Sequence, residues 1–556
     1  VNGALLAAEE ASALVATETA AVVLLVIAAG VAVVAARLNF PFTVALVIAG
    51  FGAAALGEVV AVDEISPELI LALLVPPLLF EATLHLAWRK LKADLTPVLL
   101  FALVGTGVGT LVVGALVRVT LDLPWTAALA FGALISATDP VAVIAFFKAL
   151  GAPKRLSVLV EGESLFNDAV AVVAFGLAIA AADGGEAFSV GDALVQFLTV
   201  SFGGLAVGLV LGYLVSSVFL ARVDDPLIET STTLALAYGS FLLAEYFGRL
   251  FGQDDFHFSG ILAVVSAGLM VGNLGFTNTS PSTRLTLEHF WELLTFLVNS
   301  LVFLLIGLRI TLDTLFRHIG AVILGVVVVL VLRYLLIHGL SAVAAAIQPS
   351  RRIPRTFRNV MVWSGLRGAI SLALVLTITE DHFDRDTVDT LQAMTFGVVL
   401  FTLLIQGTTI AALMRRLGLV GRADAELVQQ RHQARIHMTR AGQAEVARLG
   451  DEGVLFSDLA DSLARTYERH ARDHANDLRR HFGQHPELEV AMLLQARREA
   501  LTAERTALTD ILRTGMIETS VAEELNVELS NRLAVLDLLE ERWESDPVPS
   551  FDRDER

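Results

Sequence analysis

Cysteine is absent from this chain of 556 residues, which excludes disulfides, thiolate metal sites and cysteine nucleophiles and leaves the compartment open. Lysine is nearly absent too: Lys90, Lys92, Lys148 and Lys154 are the only ones, and arginine supplies the remaining positive charge. Charged residues make up only 18% of the chain, and a formal net charge of −18 argues against a nucleic-acid partner. The first 16 residues carry no basic side chain, and Glu9, Glu10 and Glu18 make the start acidic, unlike the n-region of a secretory leader. The C-terminal part has no glycine-rich phosphate loop, so coupling to ATP is not expected.

What fills the chain instead is apolar residue, 55% of the total, with a mean hydropathy of +0.67. That is too apolar for an ordinary soluble protein and predicts an all-α polytopic membrane protein. Apolar runs of membrane-crossing length fall near 18–36, 41–57, 67–87, 95–117, 124–147, 156–181, 191–220, 227–247, 257–274, 288–308, 318–346, 356–379 and 388–414, predicting about 13 spans. The loops between them alternate in sign. Arg37, the Arg89–Lys92 cluster, Lys148 to Arg155, Arg222, Arg284, the Arg351–Arg358 cluster and Arg415–Arg416 lie on one side. Glu58, Asp63, Glu64, Asp183, Glu186, Asp254, Asp255 and the Glu380–Asp386 cluster lie on the other. The positive-inside rule then puts the N-terminus outside and the C-terminus in the cytosol, which requires an odd number of spans.

The composition turns charged and helix-forming near Arg422, so we divide the chain into a transmembrane domain, 1–420, and a cytosolic helical tail, 421–556. Leu494, Leu501 and Leu508 recur every seven residues, and Leu525, Leu529, Leu533, Leu536 and Leu539 form an apolar stripe behind the capping box Ser520-x-x-Glu523. Both patterns predict a small helical bundle. The tail holds His432, His437, His470, His474, His481 and His485, half the histidines of the chain; solvated surface residues are the plain reading and a pH sensor the sharper one.

Four spans contain polar residues that lipid would not tolerate. The sixth carries Glu161, Glu163, Ser164, Asn167 and Asp168; on a helix, Glu163 with Asn167 and Ser164 with Asp168 fall one turn apart and make one polar stripe. Ionisable groups at that depth cost roughly 2.5 kcal/mol or more and mark an ion or proton route, and Asp168 is the candidate ion-binding carboxylate. The fifth contains Thr138 and Asp139 before Pro140, where the helix should unwind and expose carbonyls and half-helix dipoles to a cation. In the twelfth, Gly365 and Gly368 flank Arg367, which at such depth needs a carboxylate; Glu163 is the candidate. The third has Pro76-Pro77, expected to kink it, and Glu81. Glu161 reads equally well as a residue reaching for the interface, and the sequence offers Arg333 no partner.

In these residues the chain resembles the NhaP-type sodium/proton antiporters of the monovalent cation:proton antiporter superfamily. The resemblance covers about 18–416 and is carried by PPLLFE (Pro76 to Glu81), ATDPVAV (Ala137 to Val143), EGESLFNDAVAVV (Glu161 to Val173) and SGLRGAISLAL (Ser364 to Leu374). It implies two inverted repeats with crossed broken helices, spans 4–6 and 11–13 as a moving core bundle, and spans 1–3 and 8–10 as the interface of a homodimer. It implies that Asp168 binds either a cation or a proton, with Ser164, Thr138, Glu81 and, through water, Asp139 completing an oxygen shell. Asn167 would steady the helix crossing, and Glu163 and Arg367 would form a structural ion pair.

The expected function is therefore exchange of Na+ or Li+ for H+ across the cytoplasmic membrane by alternating access, with cation and proton competing for Asp168. A carboxylate withdrawn from water favours neutralisation by either ligand. By family analogy Asn167, standing where electrogenic relatives have a second aspartate, implies one-for-one electroneutral exchange. No enzymatic chemistry and no cofactor are implied; the partners are monovalent cations, protons and membrane lipid. A K+/H+ antiporter is the nearest alternative. An ion channel would need a repeated filter loop, which the sequence lacks, and a membrane sensor would not need Asp139, Glu163, Asp168 and Arg367 together at mid-membrane.

Overall fold

The computed structural model describes residues 22–37, 42–55, 67–182, 190–223, 225–252, 256–309, 312–419, 422–513 and 516–545. The acidic start, and the expected outer-loop residues Glu58, Asp63, Glu64, Asp183, Glu186, Asp254 and Asp255, lie outside them. Among the described residues every regular element is helical, as a chain that must satisfy its backbone without water requires.

In order, the apolar helices are α1 (Val22–Arg37), α2 (Phe42–Ala55), α3 (Pro67–Leu84), α4 (Leu95–Leu121), α5 (Trp125–Ser136), α6 (Val141–Leu150), α7 (Lys154–Ala182) and α8 (Val190–Leu214). They continue as α9 (Pro226–Glu245), α10 (Gly260–Met270), α11 (Pro281–Arg309), α12 (Ile319–Ile347), α13 (Arg355–Trp363), α14 (Ala369–Leu376) and α15 (Arg385–Phe401). Seven stretches among the described residues are long and apolar enough to cross a membrane as single helices. The solvent of the outer faces is legible on α12, where Ile323, Val327, Val331 and Leu335 recur one turn apart and are 51–58% exposed. That stripe belongs against lipid, while Arg333 on the same helix is buried.

Two of the apolar runs are not continuous helices. The fifth stops at Ser136 and resumes at Val141, and the twelfth stops at Trp363 and resumes at Ala369. Pro140 explains the first break, since it can neither donate a backbone hydrogen bond nor fit against a preceding helical turn. Pro76 and Pro77, by contrast, sit inside α3 without ending it. α3 is gripped from one side by α10 and the π-helical turn Val271–Gly275 that continues it, where a Cβ on Gly268 would lie 2.0 Å from the Thr83 hydroxyl and one on Gly272 2.3 Å from the Leu84 carbonyl. Trp291 on α11 is fully buried, packs against the tilted ring of Phe80 with centroids 4.6 Å apart and donates to the Thr233 hydroxyl at 3.1 Å. The last membrane helix is capped by Asp384, which accepts from the Thr387 N–H at 3.2 Å and its hydroxyl at 2.7 Å; these bonds hold its carboxyl below the usual carboxylate range.

One end of the helices is tied by a buried carboxylate. Asp94, just before α4, receives Arg155 of α7 through Nε at 3.0 Å and Nη2 at 2.8 Å, and Arg351 at 3.3 Å. Arg155 also donates to the Arg351 carbonyl at 2.7 Å, so three chain segments meet at one charge. Asp94→Ala strands the Arg155 guanidinium, and we expect a loss of about 3–5 kcal/mol in stability, read as a lowered melting temperature of the detergent-solubilised protein.

Two compact units divide the chain between Leu417 and Gly418. The second contains α16 (Arg422–Asp451), α17 (Ser457–Gln484), α18 (Pro486–Arg513) and α19 (Thr519–Ser545). α16 and α17 form a hairpin that turns at Gly453, whose φ of +71° suits glycine. Leu501, Leu508, Leu529 and Leu536 form a core with Leu494 and Leu533 against it, so the seven-residue leucines of α18 meet the stripe of α19. Leu525 and Leu539 of that stripe are exposed, and α19 begins at Thr519, which places Ser520 inside the first turn rather than at the cap.

Candidate functional site

The two helix breaks cross each other. The Asp139 N–H in the first donates to the Leu366 carbonyl in the second at 2.8 Å, joining two unwound segments that would otherwise leave backbone groups unpaired in the interior. Each half-helix presents a partial charge at its broken end, and each is met by a side chain of opposite sign. Arg367 Nη1 donates to the carbonyls of Ser136 and Ala137 at 2.8 and 2.9 Å, closing the C-terminal end of α5. Arg333 Nε and Nη2 donate to the Met361 carbonyl at 3.1 and 2.9 Å, closing α13. At the other polarity Asp139 accepts from the Val141 N–H at 2.9 Å and caps α6. Its carboxylate also lies over the start of α14, where a Cβ on Gly368 would come within 2.1 Å of Oδ2.

α7 runs past this crossing with its polar stripe turned inward: Glu163, Ser164, Asn167 and Asp168 are each at most 4% exposed. Thr138 is the hub. Its N–H donates to Asp168 Oδ1 at 3.1 Å and more weakly to Asn167 Oδ1 at 3.4 Å; its hydroxyl accepts from Asn167 Nδ2 at 2.7 Å and lies 2.8 Å from the Ser164 hydroxyl. Asp168 and Asp139 both line a cavity of about 40 Å3, together with Thr138, Asn299 of α11 and Ser371 of α14. That is room for a water or a small cation among oxygen ligands. Val75 of α3 lines both this cavity and a larger one of about 500 Å3 that extends past Val172, Gly176 and Glu245.

The structure thus brings Asp168, Asp139, Thr138, Ser164 and Asn167 together. Two expectations are corrected. Glu81 does not line the Asp168 cavity; its carboxylate lies 3.5 Å from His85 Nε2 one turn along, because the face of α3 turned to the cavity carries Val75, Leu78, Leu79 and Ala82. The buried partner of Glu163 is Arg333, at 2.9 and 3.3 Å, not Arg367. Arg367 feels the Glu163 charge only at longer range, its guanidinium being taken up by the α5 carbonyls. Gly365 makes the Arg333 contact possible, since a Cβ there would lie 2.1 Å from Arg333 Nε.

Asn299 is not among the residues the sequence singles out, and Arg333 is singled out there without a partner. The signal for Asn299 was a polar pair, Asn299 and Ser300, within an otherwise apolar run; for Arg333 it was a buried-depth arginine that had to find a carboxylate on another span. Glu161, half-buried, lies within range of the charges of Lys148 and Glu81 rather than at the crossing.

Comparison with known proteins shows the family and the fold. Residues 21–416 match the family described as sodium/hydrogen exchanger, transmembrane. The chain is 40% identical over 399 residues to the Na(+)/H(+) antiporter ApNhaP of Aphanothece halophytica, covering 71% of this chain and 74% of the relative. It is 34% identical over 511 residues to the Na(+)/H(+) antiporter NhaG of Bacillus atrophaeus, covering 89% and 93%. Among solved structures, the sodium proton antiporter MjNhaP1 from Methanocaldococcus jannaschii shares the fold, with a TM-score of 0.59 at 20% identity over 71% of this chain and 97% of that one.

Proposed function

The chain belongs to the sodium/hydrogen exchanger family, and from that premise we propose that it exchanges Na+ or Li+ for H+ across the cytoplasmic membrane. It is an integral multi-pass membrane protein and a secondary transporter, not an enzyme, and the ions it moves are its only small-molecule needs. The observation that carries the proposal is Asp168: a carboxylate buried beside two crossed helix breaks, lining a cavity that a single small ion would fill.

A carboxylate held there can be neutralised by a proton or by a cation, and the cavity has room for one of them at a time. Asp168 supplies the charge. Thr138, Ser164, Asp139, Asn299 and Ser371 place further oxygens on or next to the cavity. Asn167 is neutral and donates to Thr138; with Asp168 as the one exchangeable charge, one cation replaces one proton and no net charge crosses, a reading supported by family analogy. Glu81 is left out of this shell. The cavity of about 500 Å3 leads toward Asp168 on the side opposite the Asp94–Arg155–Arg351 cluster. With the basic loops in the cytosol that cavity is the outer entrance, the N-terminus lies outside, and the helices from Arg422 onward are a cytosolic tail.

Of about 13 spans in two inverted repeats, those that carry the crossing (α4 to α7 and α12 to α15) form the bundle that rocks. The helices α1 to α3 and α9 to α11 form the interface of a homodimer. In proteoliposomes with an internal pH dye, a Na+ or Li+ jump is expected to drive proton movement at a rate unchanged when the membrane voltage is clamped at different values. A rate that follows voltage would overturn the electroneutral reading. A response to K+ equal to that to Na+ would favour K+/H+ exchange.

A further inference from the structure

The tail contains a site that ion exchange does not use. His432 on α16 and His474 on α17 lie at equal distances along the chain from the hairpin turn at Gly453, so the antiparallel helices bring them face to face. Asp477 lies three residues beyond His474, on the same face of α17. One donor atom from each of the three lies within 4.8 Å of the others. The Nδ1 atoms of both histidines are buried and have no hydrogen-bond partner, in a hairpin otherwise packed closely enough that a Cβ on Gly442 would lie 2.7 Å from the Tyr467 ring. Asp477 has a loose neighbour in Arg480, at 3.6 Å.

We propose that His432, His474 and Asp477 form a binding site for a divalent transition-metal ion, Zn2+ or a neighbour in its row, that staples α16 to α17. Two neutral imidazole nitrogens and a carboxylate are a donor set that suits Zn2+, Co2+, Ni2+ and Cu2+ and is too nitrogen-rich for Mg2+ or Ca2+. Bonds of about 2.0–2.2 Å in a tetrahedral arrangement separate donors by about 3.3–3.5 Å, so side-chain rotation of roughly an ångström closes the site without moving either helix. A fourth position remains for water. Buried imidazole nitrogens left unpaired are disfavoured, and drawing the two rings onto an ion offers both histidines a partner.

The competing binders within the tail are its other histidines. His437 and His470 are exposed, and His481 at the end of α17 and His485 just past it hold their rings 4.9 Å apart in a tilted pair. The test uses the full-length, tag-free protein stripped of metal, titrated with ZnCl2 and followed by calorimetry and by metal content after gel filtration. One Zn2+ per chain is expected. His432→Gln with His474→Gln should weaken binding by more than the roughly 10–100-fold that loss of an outer-shell partner costs. His481→Gln with His485→Gln should leave it intact. Both pairs should retain metal-free Na+/H+ exchange and helical circular dichroism, which separates loss of the site from loss of the fold. Substituted Co2+ should show the visible absorption of a tetrahedral ion in the intact protein only. Unchanged Zn2+ binding in the His432/His474 variant, binding that disappears with His481 and His485 instead, or no binding at all would each overturn the proposal.

Discussion

Asp168→Asn is expected to abolish cation-driven proton movement while leaving the protein folded. Asparagine has the same shape, and its carbonyl oxygen can still accept the Thr138 N–H that now reaches Asp168 Oδ1 at 3.1 Å. It carries no charge at any working pH, so neither a proton nor a sodium ion has anything to neutralise, and the proposed competition between the two ions is removed. The loss should be complete within the sensitivity of a proteoliposome assay. Asp139→Asn provides the contrast. Asparagine caps helices as well as aspartate does, so α6 keeps its first turn, and exchange should fall without vanishing. If the Asp168 variant exchanged normally with an unchanged melting temperature, the transported charge would have to reside on another group. Asp139 would be next, as the other carboxylate lining the cavity.

The sequence announced the polar residues at the crossing but not all of their pairings, and the reason is physical. Stripes and depths are local, and so is the break at Pro140, whose ring and missing N–H act on the turn just before it; Glu163 to Asp168 share a face because α7 has 3.6 residues per turn. Partners across the bundle depend on which helices become neighbours and at what rotation. Arg367 looked like the mate of Glu163 because both lie at depth in broken-rule spans, yet the open carbonyls at the end of α5 claim it first. Arg333 looked solitary within α12, whose outer stripe is wholly apolar, and only the packing of α12 on α13 and α7 reveals what it faces. Glu81 was misplaced for a related reason, since rotation of α3 turns Val75 and Leu79 toward the cavity and leaves the carboxylate beside His85. The tail follows the same rule. Its leucine periodicity showed that helices would pack, whereas the meeting of His432 with His474 depends on where the α16–α17 hairpin turns.

Arg333→Ala should be the most damaging single change to stability in the membrane unit. The side chain has two duties, neutralising Glu163 through both carboxylate oxygens and satisfying the Met361 carbonyl at the broken end of α13. Removing it leaves a buried carboxylate unpaired and a helix end uncapped at once. Breaking one buried ion pair costs about 3–5 kcal/mol, and the orphaned carbonyl adds to that. A large fall in melting temperature and in the yield of monodisperse protein is the expected result. Glu163→Gln should cost less, because glutamine still accepts from Arg333 and the α13 cap survives. Combining Glu163→Gln with Arg333→Gln should recover part of the loss, since no charge is then stranded. The decisive quantity is the coupling from double-mutant cycles on the melting curves. Glu163 should couple strongly to Arg333 and weakly to Arg367, because the direct hydrogen bonds run to the first and only a longer-range field reaches the second. The opposite ranking would restore the Glu163–Arg367 pair and would mean that the crossing rearranges in the membrane. Arg367→Ala completes the comparison: it uncaps α5 but leaves Glu163 paired, so it should impair exchange through the Thr138 loop more than it lowers stability.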